Sequence, residues 1–303
     1  MASVVPCYRP LRAWQSPAGG AVVFSPSSQY PNPLELPCGQ CIGCRIRRAE
    51  EWATRCVHEA SLHDDNCFIT LTYDDDHLPW DGSLNKEHFQ KFMKRLRFHF
   101  RPKTIRYFAC GEYGEQLSRP HYHALLFNHD FDDKELWSSR DDIKTYVSET
   151  LEKIWPFGFS TIGEVNWETA AYCARYTTKK RTGKGAATHY WRQLSTDLEI
   201  EIQPEYAQMS LKPAIGKKWY QTYKDDCFPS DFITYQGKKR RIPKYYDKLL
   251  QEESPESIER LKIRRRAKAR ERDHETTPKR LRAREECAQA KINSLNRPLE
   301  GRQ

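Results

Sequence analysis

Apolar residues recur every three to four positions from Arg45 to about Leu62, where Ile46, Ala49, Ala53, Cys56, Val57 and Ala60 share a face and charged residues take the other. That period predicts an amphipathic helix. The β-branched and aromatic run Cys67-Phe68-Ile69-Thr70-Leu71-Thr72-Tyr73 predicts a strand. Asp81-Gly82 marks a turn, and Phe89, Phe92, Met93, Leu96 and Phe100 outline a second helix from Lys86 to Phe100. Ile105 to Glu112 predicts a further strand, paired as an antiparallel hairpin with one that opens at Pro120, where a missing N–H is tolerable. Ile143, Val147, Leu151 and Ile154 outline another helix, Phe159 to Val165 a strand, and Asn166 with Glu168 the start of a helix that carries Tyr172 and Tyr176. This mixed order predicts an α+β fold. From Arg181 to Tyr246 no clean period emerges, and the fold of that stretch stays open; Ser254-Pro255-Glu256 predicts one more helix start.

An apolar content of 38% over 303 residues is low for a chain that is all core, so one main domain with appendages is expected. The divisions fall at 1–62 (Pro-, Ser- and Gly-rich arm, cysteine cluster and helix), 63–250 (main domain and its extension) and 251–303 (basic tail, helical or disordered). Residues 258–284 hold twelve Lys or Arg against four acids, a surplus of eight within a net charge of +9, so the rest is close to neutral. Such a block favours a polyanion, nucleic acid or membrane surface, by counterion release; a solvated helix carries the same pattern. Ten cysteines fit a disulfide framework only in an exported chain, and the start Met1-Ala2-Ser3-Val4-Val5-Pro6 lacks the features of an export signal. A reducing, cytoplasmic setting with free or metal-bound thiols is the expectation, with no membrane span.

His121-Tyr122-His123 opens an apolar strand, and alternation on a strand puts both imidazoles on one face, where they can share a metal ion. Two histidines are too few for Mg2+ or Mn2+, so a carboxylate is expected, and Cys110-Gly111-Glu112-Tyr113-Gly114-Glu115 supplies two. Glu112 is the choice because it ends the neighbouring strand; Glu115 lies in the connection. A histidine pair by itself occurs more often as a hydrogen-bonded core pair than as a metal site. The weight comes from the helix that follows, where Tyr172 and Tyr176, four apart, share a face with Arg175, Lys179 and Lys180 around them. Tyrosine has a phenol pKa near 10 and needs activation; nearby cations lower it, and a divalent ion polarises the phosphate it attacks. Together these groups suggest phosphodiester transesterification with Tyr172 and Tyr176 as nucleophiles and Lys179 as proton shuttle or phosphate clamp.

Phe68-Ile69-Thr70-Leu71-Thr72-Tyr73, Arg119-Pro120-His121-Tyr122-His123 and Tyr172-x-x-Arg175-Tyr176-x-x-Lys179 resemble the three motifs of HUH-superfamily rolling-circle replication initiators. With Cys38-Gly39-Gln40-Cys41-Ile42-Gly43-Cys44-Arg45, the chain is similar over about residues 36–246 to the replication initiation proteins of gokushoviruses within the Microviridae. The resemblance implies a five-stranded antiparallel sheet with helices on its faces, Mg2+ or Mn2+ at His121, His123 and Glu112, and Arg119, Arg175 and Lys180 as DNA-binding cations. It implies origin nicking by one tyrosine, a 5′-phosphotyrosyl link with a 3′-OH primer, and rejoining of the displaced strand by the other. Viral single-stranded and replicative-form DNA would be the partners, in the bacterial host cytoplasm. The family commonly has Lys between the tyrosines; Arg175 keeps the charge but cannot serve as a proton donor or acceptor. No P-loop occurs, so unwinding and synthesis would fall to host helicase and DNA polymerase.

Two other readings compete: a non-catalytic zinc- and nucleic-acid-binding protein, and a plasmid relaxase, although relaxases often carry the tyrosine upstream of the histidines. Cys38, Cys41 and Cys44, at two-residue gaps, suit a structural zinc site, with Cys7, Cys56 and His58 as candidates for the fourth ligand. The basic tail, with Trp219, Tyr220, Tyr223, Lys238, Lys239, Arg240 and Arg241, is a candidate single-stranded DNA track.

Overall fold

The structure is a computed structural model that describes residues 5–15, 20–26, 33–114, 117–140, 143–176, 189–195 and 198–294. Its elements run β1 (Leu11–Trp14), β2 (Pro33–Leu36), α1 (Ile42–Ala60), β3 (Asn66–Thr72), α2 (Lys86–His99), β4 (Arg106–Tyr113), β5 (Pro120–Phe127), β6 (Glu135–Arg140), β7 (Ile143–Val147), α3 (Glu149–Ile154), β8 (Ser160–Gly163) and α4 (Trp167–Tyr176). Then follow β9 (Trp191–Ser195), β10 (Leu198–Glu201), β11 (Tyr206–Met209), α5 (Lys217–Cys227), β12 (Ile233–Tyr235), β13 (Lys238–Arg240), α6 (Lys244–Glu253), α7 (Pro255–Arg270) and α8 (Pro278–Asn293). Contacts divide the chain into two units, Met1–Arg48 with Pro229–Arg297, and Ala49–Phe228 with Pro298–Gln303.

The second unit is built on one antiparallel sheet in the order β11-β4-β5-β3-β8-β7-β6. The α+β expectation holds, and the sheet has seven strands rather than about five. Two additions explain the difference. β11 adds to the edge beyond β4, and the stretch expected as a helix through Ile143, Val147, Leu151 and Ile154 divides into β7 and the short α3. The helical spacing there is coincidental: Ile143, Thr145 and Val147 are β-branched and pair with β6, and Ser148 then caps a new helix, accepting from Leu151 N at 3.1 Å.

β5 is the central strand and every residue of it is buried, so both faces of the sheet are covered. On one face Tyr122, Ala124 and Leu126 pack with Ile69, Leu71, Tyr73, Trp155 and the buried side of α2, Phe89, Phe92, Met93 and Leu96. Each of these large side chains contributes about 1.5–3 kcal/mol by leaving water. Asn85 starts α2, its amide oxygen accepting from Glu87 N at 2.9 Å and His88 N at 3.3 Å. The other face carries His121, His123 and Glu112, with α4 packed against β4 and β5. α4 starts differently from the expected Asn166 and Glu168 pairing. Asn166 Oδ1 accepts from Thr169 N at 2.8 Å and Asn166 N donates to the Thr169 hydroxyl at 3.0 Å, a reciprocal cap that leaves Glu168 out.

In the first unit, β1 pairs with β2, β12 with β13, and α6 and α7 lie in contact. The tail expected as helical or disordered forms helices as far as Asn293. Part of its charge is spent internally: Arg265 pairs with Asp231 at 2.6 Å and with Asp247 at 2.7 Å. The stretch with no legible period contains α5, which buries Trp219 and Tyr220, so those rings belong to the core and not to a DNA track. Among the described residues no helix is long and apolar enough to cross a membrane.

Candidate active site

Register brings the carboxylate and the imidazoles together. In the β4–β5 pairing Glu112 stands directly opposite His121, and His123 lies two residues on along the same face. Glu112 Oε1 is 3.0 Å from His121 Nε2 and 2.8 Å from His123 Nε2. One ligand atom from each of the three lies within 4.8 Å of the others, and all three residues are buried.

The remaining ring nitrogens fix the tautomers. His121 Nδ1 is 3.1 Å from the carbonyl oxygen of Arg119, which can only accept, so Nδ1 carries the proton there. His123 Nδ1 is 2.9 Å from the hydroxyl of Thr70, the residue opposite it in the β3–β5 register. A neutral His121 therefore points a lone pair at Glu112 Oε1, which is also an acceptor. Two acceptors at 3.0 Å require a cation between or upon them, either a proton on the imidazole or a metal ion bound by both. Burial would push the Glu112 carboxyl up, but hydrogen bonds and charge from His121 and His123 outweigh it and hold the group down at about 2. A buried carboxylate that stays ionised beside outward-facing Nε2 atoms is a donor set that fits a divalent cation, with two nitrogens and one oxygen.

Tyr172 completes the cluster. α4 places its ring edge-on to His123, with centroids 4.9 Å apart at 89°, and its hydroxyl donates to Glu112 Oε1 at 3.1 Å. The Arg175 guanidinium lies 5.2 Å over the Tyr172 ring. Tyr176 closes α4; its side chain lies outside the described residues, as do Lys179, Lys180 and the alternative ligand Glu115. Arg119 is engaged by Asp75 at 2.8 Å and by the Tyr73 carbonyl at 2.9 Å, while its own carbonyl orients His121. The structure thus joins Glu112, His121, His123, Tyr172 and Arg175. Sequence reasoning missed Thr70, although its position opposite His123 follows once the register is known.

The cysteines gather elsewhere. Cys38, Cys41 and Cys44 converge with Cys7, each sulfur within 4.8 Å of the others. Cys56 is buried apart from them near Cys173, and His58 stacks on Trp219, so neither joins the cluster.

Comparison with known proteins assigns the lineage. The family model for replication-associated protein ORF2 matches residues 66–181. Replication-associated protein ORF2 of Spiroplasma virus 4 is 34% identical over 271 residues, covering 82% of this chain and 81% of the relative. Replication-associated protein VP4 of Bdellovibrio phage phiMH2K is 33% identical over 260 residues, covering 82% of this chain and 78% of the relative. The chain belongs to the Microviridae-type phage replication-associated proteins. A further relative, replication-associated protein ORF4 of Chlamydia phage 1, is 28% identical over 226 residues, covering 71% of this chain and 53% of that protein. No solved structure matches. The matched span 66–181 contains β3 through α4, and with them every residue of the Glu112, His121, His123 and Tyr172 cluster.

Proposed function

We propose that this replication-associated protein initiates rolling-circle replication of a phage genome, as a site-specific single-strand DNA endonuclease and strand transferase. The observation that carries the reading is the Tyr172 hydroxyl on Glu112 Oε1, 3.1 Å away, beside two imidazoles held in the tautomer that ligates. A nucleophile and a metal-type donor set seldom share an oxygen by packing alone.

A Mg2+ or Mn2+ ion held by Glu112, His121 and His123 would neutralise charge on the scissile phosphate and on the departing oxygen. The chain supplies the rest. Arg119 and Thr70 hold the two imidazoles in register, and Arg175 adds positive charge at the tyrosine. The Tyr172 oxygen forms a bond to phosphorus and gives up its proton; the bond to the 3′ oxygen breaks, and that oxygen takes a proton and leaves as a 3′-OH primer. The 5′ phosphate stays on the tyrosine, so the bond energy is kept for rejoining. Tyr176, one helical turn on, is the second nucleophile, and Lys179 and Lys180 belong to the phosphate clamp. All four clustered groups are buried, so a strand reaches them only after the chain over the site shifts. Viral DNA is the substrate, and host helicase and polymerase extend the primer in the bacterial cytoplasm.

The test is incubation with Mn2+ and a labelled origin oligonucleotide, followed by denaturing electrophoresis. A covalent adduct that forms with wild type and disappears in the Tyr172→Phe, Tyr176→Phe double variant supports the reading. An adduct that persists in the double variant, or none with wild type on any segment of the origin strand, overturns it.

A further inference from the structure

The second cluster of candidate ligands lies in the unit formed by Met1–Arg48 and Pro229–Arg297, outside the family match at 66–181. Cys7 precedes β1, Cys38 and Cys41 follow β2, and Cys44 sits in the first turn of α1. Their sulfurs are spaced as a tetrahedral metal would space them. Zinc–sulfur bonds of about 2.3 Å at tetrahedral angles set sulfurs about 3.8 Å apart. Cys7 Sγ stands 3.6 Å from Cys38 Sγ and 3.8 Å from Cys41 Sγ, far longer than a disulfide.

The backbone is arranged for sulfurs that carry charge. Cys38 N donates to Cys7 Sγ at 3.2 Å, Tyr8 N to Cys41 Sγ at 3.3 Å, and Cys41 N and Gln40 N to Cys38 Sγ at 3.3 and 3.4 Å. A thiol is a weak acceptor, whereas a thiolate takes such bonds readily. Gly39 has φ of +74°, which lets the Cys38-x-x-Cys41 turn close and aim these N–H groups. Gly43 admits the arm: a Cβ there would stand 2.1 Å from the Pro6 carbonyl oxygen and 2.9 Å from the Tyr8 ring. Only glycine lets residues 6–8 lie against the start of α1 and bring Cys7 in.

We propose that Cys7, Cys38, Cys41 and Cys44 hold one zinc ion as four thiolates, and that this ion fastens the N-terminal arm as the seat of the C-terminal helix α8. The seat is visible in the packing. Leu281 of α8 is buried with Tyr8, Cys41 and Cys44, Ala288 packs on the same group, and Arg9 pairs with Glu285 at 3.0 Å. Four thiols give their protons to solvent on binding, so no oxidant is involved. The site is independent of the Glu112 cluster, and the inference stands whether or not the protein nicks DNA.

The experiment uses full-length, tag-free protein carrying Glu112→Gln, which weakens metal binding at the other cluster. Elemental analysis is expected to give about one zinc per chain, and exchange for cobalt to give thiolate-to-cobalt charge-transfer absorption. Cys7→Ser is expected to lose most of the zinc, and chelator treatment of the parent protein to expose the α8 segment to trypsin while Ala49–Phe228 stays resistant. Folded parent protein without zinc and with four thiols open to alkylation overturns the proposal, as does an iron–sulfur chromophore or zinc retained at full stoichiometry in a Cys7→Ser, Cys38→Ser variant. Zinc that leaves with no change in α8 cleavage overturns the seat.

Discussion

Tyr172 and Glu112 share a hydrogen bond of 3.1 Å across the gap between α4 and β4, so the candidate nucleophile and the candidate ligand are coupled through one carboxylate oxygen. Glu112→Gln separates charge from shape. The amide can donate to an imidazole Nε2 that faces it, so the fold is expected to survive with its thermal midpoint within a few degrees. Cleavage of an origin oligonucleotide is expected to fall by about 100-fold or more, since both a ligand charge and its stabilisation of the transition state are gone. Single-turnover cleavage with Mn2+ beside a circular dichroism melt decides; near-normal cleavage by the folded variant would remove Glu112 from the metal set.

Thr70 acts one step further out. Its hydroxyl meets His123 Nδ1 at 2.9 Å and turns Nε2 toward Glu112. Thr70→Val keeps the β-branched shape, and losses of this kind of support weaken metal affinity by about 10–100-fold. The Mn2+ concentration for half-maximal cleavage is therefore expected to rise by that factor, with the saturated rate changed less. Thr70→Ser should restore it. An unaltered Mn2+ dependence in Thr70→Val would show that the hydroxyl does not orient the ligand.

The elements that proved legible in sequence are those where one periodicity acted alone. α2 shows four large apolar residues on one face and a basic opposite face, and it forms where expected. β4 and β5 were legible for the same reason, and with them the face shared by Glu112, His121 and His123. Ile143–Ile154 misled because two short elements, a strand and a helix, happened to place Ile143, Val147, Leu151 and Ile154 at helical intervals. Cys7 as the fourth member of the thiol cluster was only one of three options, since the sequence gap of 31 residues to Cys38 is closed by the β1–β2 pairing and by Gly43, neither of which has a local signature. Trp219 and Tyr220 were unreadable because their burial depends on partners such as His58, distant in sequence.

Glu59 and Arg106 form a buried pair that links α1 to β4. Arg106 Nε donates to Glu59 Oε1 at 2.5 Å and its Nη2 to the Pro213 carbonyl at 2.7 Å, while Gly216 N donates to Glu59 Oε2 at 2.7 Å. Glu59→Ala leaves a guanidinium and an N–H buried without their acceptor, a class of change that costs about 3–5 kcal/mol. The Glu59→Ala, Arg106→Met double variant should lose less than the sum of the two single changes, because the stranded charge goes as well. Urea unfolding of the three variants measures this; an additive result would mean that the two residues contribute separately.

His58 gives the protein an acid limit apart from its chemistry. The ring is buried and stacked on Trp219, with centroids 3.4 Å apart, and burial lowers its pKa from 6.5 to about 3. The folded state thus holds His58 neutral while the unfolded chain takes a proton below about 6.5. Stability from this group is fully present above the unfolded value and is lost as pH falls toward the folded one, by about 2 kcal/mol at pH 5. His129, lowered to about 4 mainly by burial, acts in the same direction. Urea midpoints should therefore fall between pH 7 and pH 5. His58→Phe keeps a ring against Trp219 and removes the titration, so its midpoint should fall with a shallower slope over that range, whatever its height at pH 7. Identical slopes in the two proteins would mean that protonation of His58 does not drive the acid loss.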